Sequence, residues 1–188
     1  MTEKRKPRPS VRLPNVAIIV SRYNASITDK LVEGALAAYT DRGGNVANVA
    51  VFRAPGSFEL PMLAMYAATT GRYIGIVALG CVIKGETRHD QYISHAICEG
   101  LVNVSLITQV PVSLGVLTTD TVKQARERAG GKHGNKGHEA MIAVLDTLLT
   151  MGEIETDVIL RVDRPPVKDK AARRTPFSTA RVSAGGRR

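Results

Sequence analysis

The chain has 188 residues, of which 44% are hydrophobic, so it is long enough for one domain with a sizeable buried core. Its longest apolar runs are broken by Gly, Lys or Asp and are too short to cross a bilayer. Its first residues, MTEKRKPRPS, lack the apolar stretch of a signal peptide. We therefore expect a cytoplasmic protein.

The positive charge is concentrated at the two ends of the chain. The formal net charge is +9, but residues 1–12 contribute +4 and residues 161–188 contribute +7, which leaves −2 for residues 13–160. We predict a basic disordered N-terminal arm over 1–12, a folded domain over 13–155 and a basic, mostly disordered tail over 156–188. Solvated ends are favoured over nucleic-acid-binding arms, which remain the less favoured alternative.

Apolar runs alternate with segments of helical periodicity through the middle of the chain. The runs predict strands over 15–20, 46–52, 73–83 and 112–117. The periodic segments predict a helix that is capped by Ser26 or Thr28 and closed at 43–44, and further helices over 59–70, 91–108, 121–129 and 138–151. This alternation with short connections predicts an α/β fold, a flavodoxin-like three-layer α/β/α sandwich with a central four-stranded parallel sheet.

The cysteines and histidines give no sign of a disulfide framework or a metal site. Cys81 and Cys98 are predicted to be buried, reduced thiols, since two cysteines do not make a framework in a chain of this length. The four histidines lack a zinc-type spacing with these cysteines, so no metal site is predicted.

In a parallel sheet, ligands bind beyond the carboxyl ends of the strands, so the loops that follow the strands are the candidate site. After the third strand, Gly85 permits a tight turn. The amides of Glu86 and Thr87, with the Thr87 hydroxyl, are placed to hold an anion at a helix start. His89 beside them is a natural proton-transfer group, although a surface histidine at the helix start is the alternative interpretation.

Three other loops carry polar or aromatic groups of use to a ligand. Arg128 and Lys136 lie in a Gly-rich basic segment. The planar guanidinium of Arg128 and the ammonium group of Lys136 suit a phosphate, and a solvated basic face is the alternative interpretation. Ser57 and Glu59 after the second strand suit a polyol, or serve as an N-cap and a first-turn acid. Tyr23 after the first strand offers a flat face for a heterocycle, or covers the edge of the core.

Four sequence blocks together resemble the lumazine synthase family in order and spacing. They are Arg22-Tyr23-Asn24 with Ile27 and Thr28; Pro55-Gly-Ser-Phe-Glu-Leu-Pro61; Gly80-Cys-Val-Ile-Lys-Gly-Glu-Thr-Arg-His89; and Gly115-Val-Leu-Thr-Thr through Arg128-Ala-Gly to Gly134-Asn-Lys-Gly-His-Glu-Ala140. The resemblance covers roughly residues 13–152. It implies condensation of 5-amino-6-(D-ribitylamino)uracil with 3,4-dihydroxy-2-butanone 4-phosphate, the penultimate step of riboflavin biosynthesis, with no metal or organic cofactor.

The resemblance also implies a role for each candidate residue. The pyrimidine and its ribityl chain would be held by Tyr23, Ser57, Phe58, Glu59, Cys81, Val82, Ile83 and Leu114. Of these, Cys81, Val82 and Ile83 would bind the polar edge of the pyrimidine, largely through backbone groups. The phosphate would be bound by Glu86, Thr87, Arg128 and Lys136. His89 would be the catalytic group that shuttles protons. The family often has Phe at the positions of Tyr23 and Leu114, so the ring contact of Leu114 becomes aliphatic and weaker pyrimidine binding is expected.

The family's assemblies imply a homo-oligomer built from pentamers, with each site at a subunit interface and Leu114 and Arg128 supplied by the neighbour. The short bend at 130–137 resembles that of family members forming 60-subunit shells, so a shell is favoured over a pentamer or decamer. Association with riboflavin synthase is a further expectation.

A non-catalytic flavin- or lumazine-binding relative is the main alternative. It is disfavoured because a pure binder has no need of His89, Arg128 and Lys136 together. An FMN-binding module of flavodoxin type is disfavoured because residues 21–26 do not supply a Ser/Thr-rich phosphate loop.

Overall fold

A computed structural model describes residues 13–162, with side chains described to residue 157. Its strands are β1 Val16–Ser21, β2 Val49–Ala54, β3 Gly75–Ile83 and β4 Val112–Thr119, which form one parallel sheet in the order β2-β1-β3-β4. Its helices are α1 Ala25–Asp41, α2 Leu60–Thr69, α3 His89–Thr108, α4 Val122–Glu127 and α5 Lys136–Val162. A 3-10 turn spans Val46–Asn48, and β5 Ala129–Gly131 pairs with β6 Gly134–Asn135 in an antiparallel hairpin. The predicted flavodoxin-like α/β sandwich with four parallel strands is confirmed.

Helices cover both faces of the sheet. On one face α1 and α5 pack against alternate strand side chains such as Ile18 and Leu79. On the other face α2 and α3 pack against Ile19 and Ala78. All six residues of β1 are buried, as the continuous apolar run of a central parallel strand predicts. Each buried aliphatic side chain contributes about 1.5–3 kcal/mol relative to exposure, so these two cores hold the loops at the strand ends in place.

The first helix begins earlier than predicted, and its predicted caps are wrong. Asn24 precedes α1 in a left-handed conformation with φ 60°, whereas Ser26 and Thr28 lie inside the helix. Thr28 is fully buried and donates from Oγ1 to the carbonyl oxygen of Ser21 at 2.9 Å. Its hydroxyl therefore joins the helix to the end of β1 and does not cap α1.

Three other boundaries differ from the sequence prediction. The Asn45 side chain accepts from the amide of Ala47 at 3.0 Å, so a 3-10 turn precedes the second strand, which starts at Val49. The third helix starts at His89, which makes this histidine a helical residue. The β5–β6 hairpin is not predicted by the sequence, because strands of two and three residues have no readable period.

The last helix continues past residue 151, so its predicted end is wrong. It runs to Val162, since Gly152 costs only about 1 kcal/mol within a helix. The described start of the predicted tail is accordingly helical, while the arm at 1–12 and residues 163–188 lie outside the described residues. The domain boundaries themselves stay predictions. Within residues 13–162, no helix combines the length and apolarity needed to cross a membrane.

The two cysteines are both free thiols but differ in exposure. Cys81 in β3 is buried, as predicted. Cys98 in α3 is exposed, so the prediction that it is buried is wrong. The helix turns Ile97, Leu101 and Val104 toward the sheet, and the residue after Ile97 therefore points away from it.

Candidate active site

The carboxyl ends of β1, β2 and β3 open into a cavity of about 530 Å³. Eight of the residues predicted for the site line it: Tyr23, Ser57, Phe58, Cys81, Val82, Ile83, Thr87 and His89. The rest of the lining is Asn24, Gly56, Lys84, Gly85, Asp90, Ile93 and Val122. Parallel strands bring three loops that are distant in sequence to one edge of the sheet, as the rule for ligand sites in such sheets requires.

Two aromatic side chains that line this cavity are largely exposed to solvent. Tyr23 is 72% exposed and Phe58 is 61% exposed. The Tyr23 amide donates to Ser21 Oγ at 3.1 Å, which fixes the backbone of the first loop while leaving the ring free. Exposed aromatic faces beside a cavity are suited to contact a flat, partly polar ring.

Asn24 is a lining residue that sequence reasoning missed. It adopts φ 60° and ψ 43°, a left-handed conformation that non-glycine residues rarely occupy. Its Nδ2 donates to the carbonyl oxygen of Cys81 at 3.0 Å, which ties the first loop to the end of β3. The carbonyl of Cys81, predicted to bind the substrate edge, therefore already has one donor. The only available sequence signal was the tolerance of Asn for this conformation.

The second loop lies close against β3. Ser57 is 8% exposed, and a Cβ placed on Gly80 would lie 2.6 Å from Ser57 Oγ, so any larger residue at position 80 would displace the Ser57 hydroxyl. Glu59 is half-buried at the N-cap position of α2, but its side chain makes no capping hydrogen bond. Its Oε2 would lie 2.9 Å from a Cβ on Gly56, which lines the cavity. The Glu59 carboxylate thus lies beside a residue of the cavity lining and does not cap α2.

The thiol of Cys81 is a poor nucleophile in this setting. Burial raises its pKa to about 11, because the low-dielectric surroundings disfavour the thiolate. The thiol is therefore neutral at physiological pH. This agrees with the predicted role of Cys81 through its backbone rather than through its sulfur.

His89 is the first residue of α3 and is exposed. It lines both the main cavity and an apolar recess of about 490 Å³, which it shares with Phe58, Tyr92, Ile93 and Ala96. In the described part of the chain, no side chain forms a hydrogen bond or ion pair with its ring. An unpaired imidazole at a cavity is free to exchange a proton with a bound substrate.

The start of α3 offers donors for an anion. Arg88 precedes the helix, and its side chain makes no capping hydrogen bond, so within the part of the chain that the structure describes the first-turn amides of this 20-residue helix have no side-chain partner. Thr87 lines the cavity here, and Glu86 is exposed in the same loop but does not line it. The positive end of the helix dipole favours a phosphate at this point.

Arg128 lies in a second, polar cavity of about 440 Å³. This cavity is lined by Asp90, Thr118, Thr119, Asp120, Gln124, Glu127, Arg128 and His133. It shares only Asp90 with the main cavity, and Asp90 Oδ1 is buried without a hydrogen-bond partner among the described residues. Within one described chain, Arg128 and His89 therefore line different cavities, which meet at Asp90.

Leu114 and Lys136 also lie outside the main cavity. Leu114 projects from β4 and is 43% exposed. Lys136 begins α5, and its Nζ forms an ion pair with Glu139 at 2.8 Å. With Glu59, Glu86 and Arg128, these are the predicted site residues that do not line the cavity. Within residues 13–157, no three His, Cys, Asp or Glu side chains are grouped as metal ligands would be.

The chain is similar to known proteins over most of its length. The model of the 6,7-dimethyl-8-ribityllumazine synthase family matches residues 14–151. The 6,7-dimethyl-8-ribityllumazine synthase of Deinococcus radiodurans is 48% identical over 139 residues, which cover 74% of this chain and 90% of that protein. The protein of the same name from Deinococcus deserti is 48% identical over 138 residues, covering 73% and 88%. That of Nautilia profundicola is 47% identical over 133 residues, covering 71% and 86%.

Proposed function

We propose, because the chain belongs to the 6,7-dimethyl-8-ribityllumazine synthase family, that the cavity beside His89 is where the family's two substrates react. The chain is an enzyme of the transferase class. It condenses 5-amino-6-(D-ribitylamino)uracil with 3,4-dihydroxy-2-butanone 4-phosphate to 6,7-dimethyl-8-ribityllumazine, phosphate and water. This is the penultimate step of riboflavin biosynthesis.

One observation supports the proposed location of the active site. Eight residues predicted from three separate sequence blocks between Tyr23 and His89 line a single cavity at the carboxyl edge of the sheet. That cavity combines open aromatic rings, strand-end backbone and an unpaired histidine. A flat amine and a small keto-phosphate that react by proton transfer need these three kinds of group.

The pyrimidine is assigned to the apolar end of the cavity. Tyr23 stacks on the ring, and backbone groups of Cys81, Val82 and Ile83 bind its polar edge. Ser57 and Phe58 enclose the other side. Glu59 is assigned to the ribityl hydroxyls, and its carboxylate oxygen beside Gly56 supports that assignment.

The phosphate is assigned to the start of α3 and to a neighbouring subunit. Glu86 and Thr87 hold it through amides and a hydroxyl, and Arg128 and Lys136 of the next subunit supply positive charge. The support for sharing is that one chain keeps Arg128 in a separate cavity from His89. Leu114 is assigned to the same neighbouring side, where its exposed side chain is available to contact the ring.

His89 is assigned the proton transfers of imine formation and phosphate elimination. The amine attacks the ketone, water leaves, and loss of phosphate then requires removal of a proton from carbon. Holding the two substrates together supplies much of the acceleration. Proton transfer by one side chain adds about 10²–10⁴-fold.

The shared site requires at least a ring of subunits, so we propose a homo-oligomer built from pentamers. The short bend at 130–137 favours assembly of twelve pentamers into a 60-subunit shell. Analytical ultracentrifugation distinguishes a 60-subunit particle from a decamer or a pentamer. Cytoplasmic localisation and association with riboflavin synthase remain parts of the proposal.

The reaction is tested by mixing the full-length protein with both substrates and following absorbance in the lumazine band. Product formation that falls in Arg128→Ala at low keto-phosphate supports the reaction and the phosphate assignment. A rate for Arg128→Ala equal to the parent's under those conditions would contradict the assignment. Absence of product together with tight riboflavin or lumazine binding would replace catalysis with a binding role.

A further inference from the structure

The hairpin β5–β6 brings together Arg128 and Lys136, the two positively charged residues that are proposed to bind the phosphate. Ala129 pairs with Asn135 across the hairpin, and the amide of Lys136 donates to the carbonyl oxygen of Arg128 at 2.9 Å. Arg128 and Lys136 are therefore neighbours at the base of the hairpin, although seven residues separate them in sequence. Their mutual position depends on whatever holds this hairpin.

Asn135 uses both ends of its side-chain amide to hold it. Nδ2 donates to the carbonyl oxygen of Lys30 in α1 at 2.8 Å. Oδ1 accepts from the amides of Gly137 at 2.8 Å and His138 at 3.2 Å, which caps the first turn of α5. One side chain thus joins the hairpin to α1 and fixes the direction in which α5 begins.

Two glycines allow this close approach. A Cβ on Gly34 of α1 would overlap the side-chain amide of Asn135. A Cβ on Gly137 would overlap the backbone carbonyl of Leu31. Leu31 is fully buried, so the hairpin is positioned directly against a helix that belongs to the core.

We propose that Asn135 is a positioning residue for phosphate binding, which sets Arg128 and Lys136 relative to the core of their own subunit. This rests on the proposed function. Arg128 is exposed, and the backbone from which it projects determines where its guanidinium fork can reach. Bidentate recognition of a phosphate depends on that geometry, so a loose hairpin weakens the phosphate contact without altering the pyrimidine pocket.

The test variant is Asn135→Ser in the full-length assembled protein. Serine is an equally good N-cap for α5, but its side chain is too short to reach the carbonyl of Lys30. Asn45→Ser is the matched control, since Asn45 also accepts a capping hydrogen bond but precedes β2, an edge strand of the four-stranded sheet, which does not include the hairpin. The measurements are the KM for each substrate and the rise in Tm caused by inorganic phosphate.

We expect the KM for the keto-phosphate to rise roughly tenfold in Asn135→Ser, within the ~10²-fold that a 1 Å misplacement costs. The KM for the pyrimidine stays within about twofold, because the hydrogen-bond partners of the Asn135 side chain, Lys30, Gly137 and His138, do not line the main cavity. The phosphate-dependent rise in Tm shrinks, and Asn45→Ser matches the parent in all three measurements. The Tm comparison needs no turnover, so it tests Asn135 even if the parent makes no product.

Two results overturn the proposal. One is a folded Asn135→Ser variant with an unchanged KM for the keto-phosphate and an unchanged response to phosphate. The other is an equal rise in both KM values together with a lower Tm without phosphate, which indicates a structural role only. If Asn135→Ser does not fold, Asn135→Asp keeps the cap and loses the donor, and high ionic strength screens its added charge. The same two results then decide.

Discussion

Replacing Asn24 by glycine tests whether the Asn24 side chain positions the first loop for substrate binding while the backbone of that loop keeps its conformation. Asn24 has φ 60°, a conformation that glycine adopts freely, so Asn24→Gly keeps the backbone path. It removes one hydrogen bond, from Nδ2 to the carbonyl of Cys81 at 3.0 Å. Within the described residues, that bond is the only hydrogen bond that the Asn24 side chain makes.

The expected change in stability is small because two effects oppose each other. Relief of the left-handed conformation gains about 1 kcal/mol, while glycine's greater freedom in the unfolded chain costs about 0.4–1 kcal/mol. Loss of the hydrogen bond costs a further 0.5–1.5 kcal/mol or so. The free energy of unfolding should therefore fall by about 1 kcal/mol, and the variant should fold and assemble.

The functional change should be larger and confined to one substrate. Without its tie to Cys81, the loop that carries Tyr23 shifts against the strand end. We expect the KM for the pyrimidine to rise roughly tenfold, equivalent to about 1.4 kcal/mol, with the KM for the keto-phosphate unchanged. Steady-state absorbance assays that vary each substrate in turn measure both constants.

Gln109→Gly is the matched control. Gln109 has φ 58° at the end of α3, far from the strand ends that form the cavity, so glycine there relieves the same backbone conformation. It should leave both KM values at the parent's level. An unchanged pyrimidine KM in a folded Asn24→Gly variant, or an equal rise for both substrates, would refute this reasoning.

Three further predictions follow from the site and its supports. His89→Ala should lower kcat by about 10²–10⁴-fold with an unchanged Tm, since no side chain within the described residues holds its ring. A kcat within twofold of the parent's would exclude His89 as the proton carrier. The raised pKa of Cys81, about 11 against 9.0 ordinarily, means that the unfolded chain loses this proton first. The free energy of unfolding should therefore fall as the pH rises from about 9 to 11. Urea titrations of Cys81→Ala should show a shallower fall over this range, and an equally steep fall would show that the thiol is not its cause. Gly137→Ala should lower the free energy of unfolding by about 1–3 kcal/mol, because the added Cβ meets the backbone of Leu31. Gly152→Ala, where the added Cβ meets no atom, should raise it by up to about 1 kcal/mol. Equal Tm values for the two variants would contradict the close approach at Gly137.

The strands of the sheet could be predicted from the sequence because the central strands are buried on both faces. The run at 15–20 is uniformly apolar, and a short run of this kind between polar loops fits a central parallel strand. The order of the elements then placed the loops at one edge. Eight candidate residues consequently line one cavity, although no alignment of strands was known beforehand.

The parts that the sequence did not predict depend on contacts between distant segments. Asn24 acts through a bond to a residue 57 positions away, and Asn135 through one 105 positions away. Neither spacing leaves a local pattern. The exposure of Cys98 depends on which face of α3 packs on the sheet, which composition alone does not reveal.

The central claim is that His89 of one subunit and Arg128 of its neighbour act in the same site. It is tested most directly by co-assembling His89→Ala and Arg128→Ala subunits in equal amounts and measuring product formation at low keto-phosphate. If sites are shared and mixing is random, about a quarter of them regain both groups, and activity rises well above that of either variant alone. Mixed assemblies, verified by mass spectrometry, whose activity only equals the average of the two parent variants would contradict the account.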